Sequence, residues 1–251
     1  MLGLTDLRLD VSDCDVQDTQ RLCKFLSKSS QLQVLHLIFA HCPLEDKHFL
    51  ELATTFRSLE LRNLHLDMSR TRAGDAVSVT LLSSFIVMNR LTSLCIGMSV
   101  CRRLSQRGLC NILGGISLLG SLRALKLDLS YLPLGDADMI AFAESLTLQN
   151  LRVLDLDLEQ TGRLTEDGLL TFISKVQVPS LIELRLNLHG CAELGEGLRH
   201  AWTGEVNDLH HDFQRLRRPS AVRATHKGHG CLPTLGCLTL SRQNQHHCPD
   251  C

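Results

Sequence analysis

Leucines recur along this chain in the order Leu-x-x-Leu-x-Leu-x-apolar. The block begins at Leu4, Leu32, Leu61, Leu91, Leu122, Leu151 and Leu181, a period of about thirty residues. Inside each block apolar and polar residues alternate, as in Leu125, Lys126, Leu127, Asp128 and Leu129, which predicts a β-strand with one buried face. The stretch that follows carries apolar residues at i, i+1, i+3, i+4 and i+7, the stripe of an amphipathic helix. Phe49, Leu50, Leu52, Ala53 and Phe56 fit it, as do Leu109, Cys110, Ile112, Leu113 and Ile116. So do Met139, Ile140, Phe142, Ala143 and Leu146, and Leu169, Leu170, Phe172, Ile173 and Val176. Gapped copies stand at Leu22, Cys23, Phe25 and Leu26, at Leu81, Leu82, Phe85 and Met88, and at Leu198, Ala201 and Trp202.

Strand followed by helix at this period predicts an α/β solenoid of seven units over residues 1–203. The coils wind right-handed, with parallel strands on the concave face and helices on the convex face. A third register supports the stacking. Three residues after each strand's last apolar position stand Cys14, Cys42, Thr71, Cys101, Leu132, Thr161 and Cys191. These are expected to turn inward, where a small hydrogen-bonding side chain can serve backbone groups that lack ladder partners. Leu132 breaks that column. After Trp202 the pattern fails, and residues 204–251 are expected to form a mostly disordered tail, with an extra strand possible near 235–240 at Leu235, Leu238 and Leu240.

With these residues in view, the chain resembles the leucine-rich repeat proteins, closest to the ribonuclease-inhibitor-like subfamily. Some units resemble the cysteine-containing repeats of F-box substrate receptors: Cys101 to Leu113 reads Cys-x-x-Leu-Ser-x-x-Gly-Leu-x-x-x-Leu, and Thr161 to Leu170 reads Thr-x-x-Leu-Thr-x-x-Gly-Leu-Leu. The resemblance implies a horseshoe that binds a protein partner on its concave sheet. It is specific for fold and unspecific for function. Two departures stand out. The asparagine common in the family's inward ladder is absent, and the first strand starts near residue 4 with no capping element. The uncapped first strand leaves an open sheet edge suited to association, expected either of a fragment or of a chain whose partner covers that edge.

Composition adds limits. A formal net charge of −1 gives no global attraction to nucleic acid or to an anionic membrane, and no apolar run approaches the roughly 18 residues that span a bilayer. Asp6, Arg8 and Asp10 interrupt what would be a signal-peptide core. The cysteine count is 11, an odd number. With no export signal it favours reduced thiols and a cytoplasmic or nuclear location. At the C-terminus His246, His247, Cys248 and Cys251 could ligate zinc, but adjacent histidines and a terminal cysteine suit a tetrahedral site poorly, so no metal and no cofactor is expected. The arginines Arg215, Arg217, Arg218 and Arg223 lack interleaved aromatics and read as a solvated linker.

In-register stacking lets the outward columns be written from sequence. One runs Arg8, His36, His65, Cys95, Lys126, Asp155, Arg185; the next Asp10, Ile38, Asp67, Gly97, Asp128, Asp157, Asn187; a third Ser12, Ala40, Ser69, Ser99, Ser130, Glu159, His189. Asp155 can pair with Lys126 or Arg185. Asp128 and Asp157 oppose each other as like charges, so with Asp155 and Glu159 they make an acidic focus in the fifth and sixth units. That focus reads either as a dock for basic groups of a partner or as a solvated sheet face. Tyr131 reads either as an interface anchor or as a turn residue before Pro133. The candidate partner-binding set is therefore Asp67, Lys126, Asp128, Tyr131, Asp155, Asp157, Glu159 and Arg185. No nucleophile, base and acid converge, so the expectation is a non-enzymatic protein-interaction scaffold. The alternative is the substrate-recognition part of an F-box-type ubiquitin ligase. Among the repeat thiols, only Cys95 is expected to face the partner side and to react early.

Overall fold

The computed structural model describes residues 3–194 and a strand at 237–241. Seven strands lie parallel in chain order: β1 (Asp6–Asp10), β2 (Val34–Ile38), β3 (Asn63–Asp67), β4 (Ser93–Gly97), β5 (Ala124–Asp128), β6 (Val153–Asp157) and β7 (Glu183–Asn187). Between them run α1 (Gln20–Leu26), α2 (Asp46–Phe56), α3 (Asp75–Phe85), α4 (Gln106–Ile116), α5 (Asp136–Ser145) and α6 (Glu166–Lys175). The chain is an α/β repeat solenoid with an open sheet. Residues that share a role in the repeat share a place in space: Leu35, Leu64, Leu94, Leu125, Leu154 and Leu184 are Cα partners along the sheet, and so are His36, His65, Cys95, Lys126, Asp155 and Arg185.

The leucines on the inner side of the strands and the helix stripes form one core cluster. That stripe is narrower than the sequence template. The i+1 residues Leu50, Ile140 and Leu170 are half-buried, and Cys110, expected on the core face of α4, is exposed. Leu109, Ile112, Leu113 and Ile116 already fill the interior arc, and Cys110 lies one residue further round a turn of 3.6 residues. The seventh helix stripe (Leu198, Ala201, Trp202), the disorder expected over residues 204–251, the four terminal zinc candidates and the arginine cluster all lie outside the described residues. Strand β8 (Cys237–Ser241) pairs with β7, but antiparallel, with Leu184 opposite Leu240. It therefore does not continue the solenoid as another coil.

The inward column works as a thiol–hydroxyl ladder. Cys42 Sγ donates to Val11 O (3.1 Å), Cys101 Sγ to Met68 O (3.2 Å) and Cys191 Sγ to Leu158 O (3.1 Å), in each case a carbonyl of the preceding coil. Thr71 and Thr161 bond instead to their own coil, at Met68 O and Leu158 O. Each of those two carbonyls thus takes a hydroxyl and, at 3.2 Å, a backbone N–H from its own coil, and a thiol from the next. Cys14, expected to be buried in this column, is exposed, because among the described residues no coil precedes its own. Leu132 is buried and leaves only its backbone N–H, bonded to Leu129 O at 3.3 Å.

Immediately before each ladder residue the chain turns through a left-handed conformation. Asp13, His41, Arg70, Val100, Tyr131, Gln160 and Gly190 all have φ between 56° and 69°. From the first six, the backbone N–H donates to the next coil (Arg70 N to Ser99 O, Val100 N to Ser130 O, Tyr131 N to Glu159 O). The need to continue that ladder holds six residues other than glycine in a region that L-residues seldom occupy.

A further inter-coil device sits at the helix N-termini. Asp75 accepts from Ser105 N (2.7 Å) and Ser105 Oγ, and Asp136 accepts from Thr165 N (2.8 Å) and Thr165 Oγ1 (2.7 Å). Each aspartate thereby clamps the N-cap of the following helix. The carboxylates occupy the space where a Cβ would stand on Gly108 and Gly168. This is why the Leu-Ser-x-x-Gly-Leu and Leu-Thr-x-x-Gly-Leu units carry glycine there.

Candidate sheet-face binding site

The residues expected to meet a partner all lie on or beside the exposed face of the sheet, but they do not form one open acidic patch. Asp155 sits between two cations, 3.7 Å from Lys126 Nζ and 3.8 Å from Arg185 Nη1, while Arg185 also reaches Glu183 at 2.8 Å. Asp157 Oδ1 accepts from Glu159 N (3.0 Å) and Asn187 Nδ2 (3.0 Å). Glu159 in turn accepts from the Tyr131 hydroxyl at 2.9 Å and lies 3.7 Å from His189 Nδ1. Tyr131 joins its two readings, since its backbone is a left-handed turn residue while its ring is half exposed. The Glu159 hydrogen bond, followed by that carboxylate's charge, holds the phenol above its ordinary pKa.

The aspartate column has a structural task that the sequence reading missed. Asp10, Asp67, Asp128 and Asp157 each turn Oδ1 back onto the backbone N–H two residues on, at Ser12, Ser69, Ser130 and Glu159, over 2.8–3.0 Å. These are Asx turns that end the strand. In the first and fifth coils the serine hydroxyl adds a second bond to the same oxygen, at 2.6 Å. Asp128 is the most constrained. Burial raises its carboxyl pKa, the two Ser130 hydrogen bonds oppose that rise, and the charges of Asp157 and Asp67 add to it.

The third to fifth coils hold a different feature. The outward residues of β4 and the turn after it are all small: Ser93, Cys95, Gly97 and Ser99. They are flanked by His65 and Asp67 from β3 and its continuation, and by Lys126 and Asp128 from β5. β4 is therefore the least bulky strand of that face. At Gly97 the Asp67 carboxylate leans over the bare Cα, so a Cβ there would collide with Asp67 Oδ1 and would stand 3.0 Å from Ser69 Oγ. Ser69 is 8% exposed, and its hydroxyl is buried with no hydrogen-bond partner among the described residues. Its counterpart Ser130 donates to Asp128 Oδ1 (2.6 Å) and accepts from the Ser99 hydroxyl (2.8 Å). Sequence columns contained these residues, but nothing in them marked the orphaned hydroxyl.

On β2 and β3, His36 and His65 pack edge to face with centroids 5.3 Å apart. Both are held below the ordinary histidine value, by burial first and then by neighbouring positive charge. The Cys95 thiol is pushed up to about 11, chiefly by burial, and is a poor nucleophile at neutral pH. Among the described residues no three His, Cys, Asp or Glu side chains are grouped to hold a metal, and no helix is long and apolar enough to cross a membrane.

No family model and no curated protein matches this chain. Among solved structures it is similar to a chain in the crystal structure of the Rad7 and Elc1 complex in yeast, at 20% identity and a TM-score of 0.38. The match covers 85% of this chain and 60% of that one, so this chain spans less than two thirds of its neighbour's length. A likeness at that level carries no inference about activity or partner.

Proposed function

We propose that this chain is a non-enzymatic interaction module that holds a protein partner on the exposed face of its sheet. The observation that carries the reading is the sheet face itself. Seven parallel strands present outward columns rich in charge, next to a buried hydroxyl that lacks a partner among the described residues. The leucine-rich kinship, ribonuclease-inhibitor-like with F-box-type fourth and sixth coils, belongs to the same proposal. So does a reduced cytoplasmic or nuclear setting, which accords with seven unpaired cysteines among the described residues.

The test is quantitative capture with the full-length chain. Charge reversal of the aspartates would also break Asx turns, so asparagine is the right substitution: it removes charge and keeps the acceptor. The variant Asp67→Asn/Asp128→Asn/Asp157→Asn is expected to lose its specific partner at least tenfold. A helix-side control, Lys47→Gln/Arg107→Gln, keeps it. Equal capture by both would contradict the assignment of the sheet as the binding face.

A further inference from the structure

We propose that the open edge of β1 is a self-association site, where two copies of this chain pair antiparallel about a two-fold axis through Leu9. The edge is open in its backbone and in its packing. Parallel pairing turns the N–H and C=O of alternate residues toward the neighbouring strand. In β1 these are the odd-numbered residues: Thr5 O accepts from Val34 N, while Val11 N and Asp13 N donate to Ile38 O and Ala40 O. The backbone groups of Asp6, Arg8 and Asp10 therefore point the other way, where no further strand lies among the described residues. The leucine interior is uncovered at the same end. Leu7, Leu9 and Val11 are half-buried, whereas Leu35, Leu37 and Phe39, at the same repeat positions, are at most 1% exposed. On α1, the first helix, Phe25 is 48% exposed. An edge of this kind is a template for another strand.

The residues of β1 select both the occupant and its register. Two copies can pair antiparallel only with even-numbered residues opposite even-numbered ones, since those carry the free backbone groups. An axis through Arg8 would set Arg8 against Arg8 and Asp6 against Asp10, like charges throughout. An axis through Leu7 would match Asp6 with Arg8, but would set Leu4 against Asp10 and Leu9 against Thr5. An axis through Leu9 agrees on both faces. On the sheet face, each Arg8 meets Asp10 of the second copy and Asp6 meets Ser12. On the inner face, Leu9 meets Leu9 and Leu7 meets Val11, which continues the dry interior across the junction. Arg8 and Asp10 then exchange both backbone hydrogen bonds, twice by symmetry. In the single chain Arg8 rests against Asp6 at 3.3 Å, with both side chains exposed. Asp10 commits Oδ1 to Ser12, and its second oxygen can accept from the guanidinium of the other copy.

The far edge of the sheet already accepts an antiparallel strand, since β8 closes β7 in that way. With that edge occupied, pairing through β1 is isologous and stops at two copies. The exposed face of the sheet stays uncovered on both, and Cys14 lies past the last paired residue, Ser12.

The test is sedimentation equilibrium of the full-length chain over a concentration series, with Arg8→Pro and Arg8→Glu beside the wild type. The wild type is expected to reach twice the monomer mass. The Arg8→Pro change removes an N–H that faces the open edge and spares the bonds to β2. It should keep the wild-type circular dichroism and weaken the dimer at least tenfold. Arg8→Glu places like charges opposite each other at both Arg8–Asp10 pairs and should weaken it at least threefold. The register is read by cross-linking. Leu9 meets its own copy in a non-hydrogen-bonded pair, with Cα atoms about 4.5 Å apart, within disulfide reach. Under mild oxidation Leu9→Cys should give a dimer linked through position 9, identified by peptide mass spectrometry, and Leu7→Cys none linked through position 7. A wild type that stays monomeric up to its solubility limit would overturn self-association, whether the chain's own tail or a different protein closes the edge. So would a dimer indifferent to both Arg8 variants, or a link through position 7 in place of position 9.

Discussion

At the scale of single residues, the chain keeps positions whose identity conflicts with their geometry, because the ladder between coils outweighs the conflict. Val100 is the sharpest case: a β-branched side chain at φ 56°, a conformation costly for such residues. Val100→Gly is expected to stabilise the fold by about 1 kcal/mol. Gly190→Val, at φ 69°, should lose about 1–2 kcal/mol, both read by urea unfolding. Two changes of the same sign would contradict the turn geometry. None of this was legible beforehand: Asp13, His41, Arg70, Val100, Tyr131 and Gln160 share no chemistry, so only a backbone angle unites them. Asp128 tells a second story. Its folded carboxyl pKa lies above the unfolded one, with burial as the first cause, so the native site holds its proton more tightly than the unfolded chain does. Lowering pH through the folded and then the unfolded pKa therefore favours the fold at this residue, and raising pH costs stability. Asp128→Asn, which keeps the acceptor for Ser130, should match or exceed wild-type stability at pH 7. That advantage should shrink as the pH drops through the carboxyl range. A variant clearly less stable at pH 7 would show that the charge itself supports the turn.

At the scale of elements, coils are joined by side chains that reach across one repeat. The Asp136 clamp on Thr165 occupies the space above Gly168, so helix α6 starts where α5 permits. Gly168→Ala should cost about 2 kcal/mol through loss of charge-assisted bonds. In an Asp136→Ala background the same change should cost little, a non-additive double-mutant cycle. Full additivity would mean that the clamp is incidental. The register of the strands was readable, since alternation fixes which side chain faces inward and the repeat fixes which residues are partners. The clamp was not, because an aspartate in one unit and a glycine in the next look unrelated until the coils are stacked. The thiol ladder was readable only in part. Cys14 and Cys101 occupy the same repeat position and differ in burial because burial depends on the coil beneath, not on the residue.

At the scale of the whole molecule, stacking turns a one-dimensional pattern into three surfaces: a dry leucine interior, a helix side and a sheet face. The charge on that last face, read from sequence as one focus in the fifth and sixth coils, divides in the structure. Around Asp155, Asp157 and Glu159 it is bound up with Lys126, Arg185, Asn187 and Tyr131. Around Asp67 and Asp128 it borders the small residues of β4 and the partnerless hydroxyl of Ser69. Every functional assignment rests on that partition, and the cysteines report on it directly because they sample all three surfaces. The decisive measurement is a maleimide-labelling time course on native protein, resolved by peptide mass spectrometry. Cys14 and Cys110 should be modified first, and Cys95 slowly despite facing the sheet side, because its thiol is held near 11. Cys42, Cys101 and Cys191 should react only on unfolding. Modification of Cys101 or Cys191 as fast as Cys14 would contradict in-register stacking, and with it the sheet-face site.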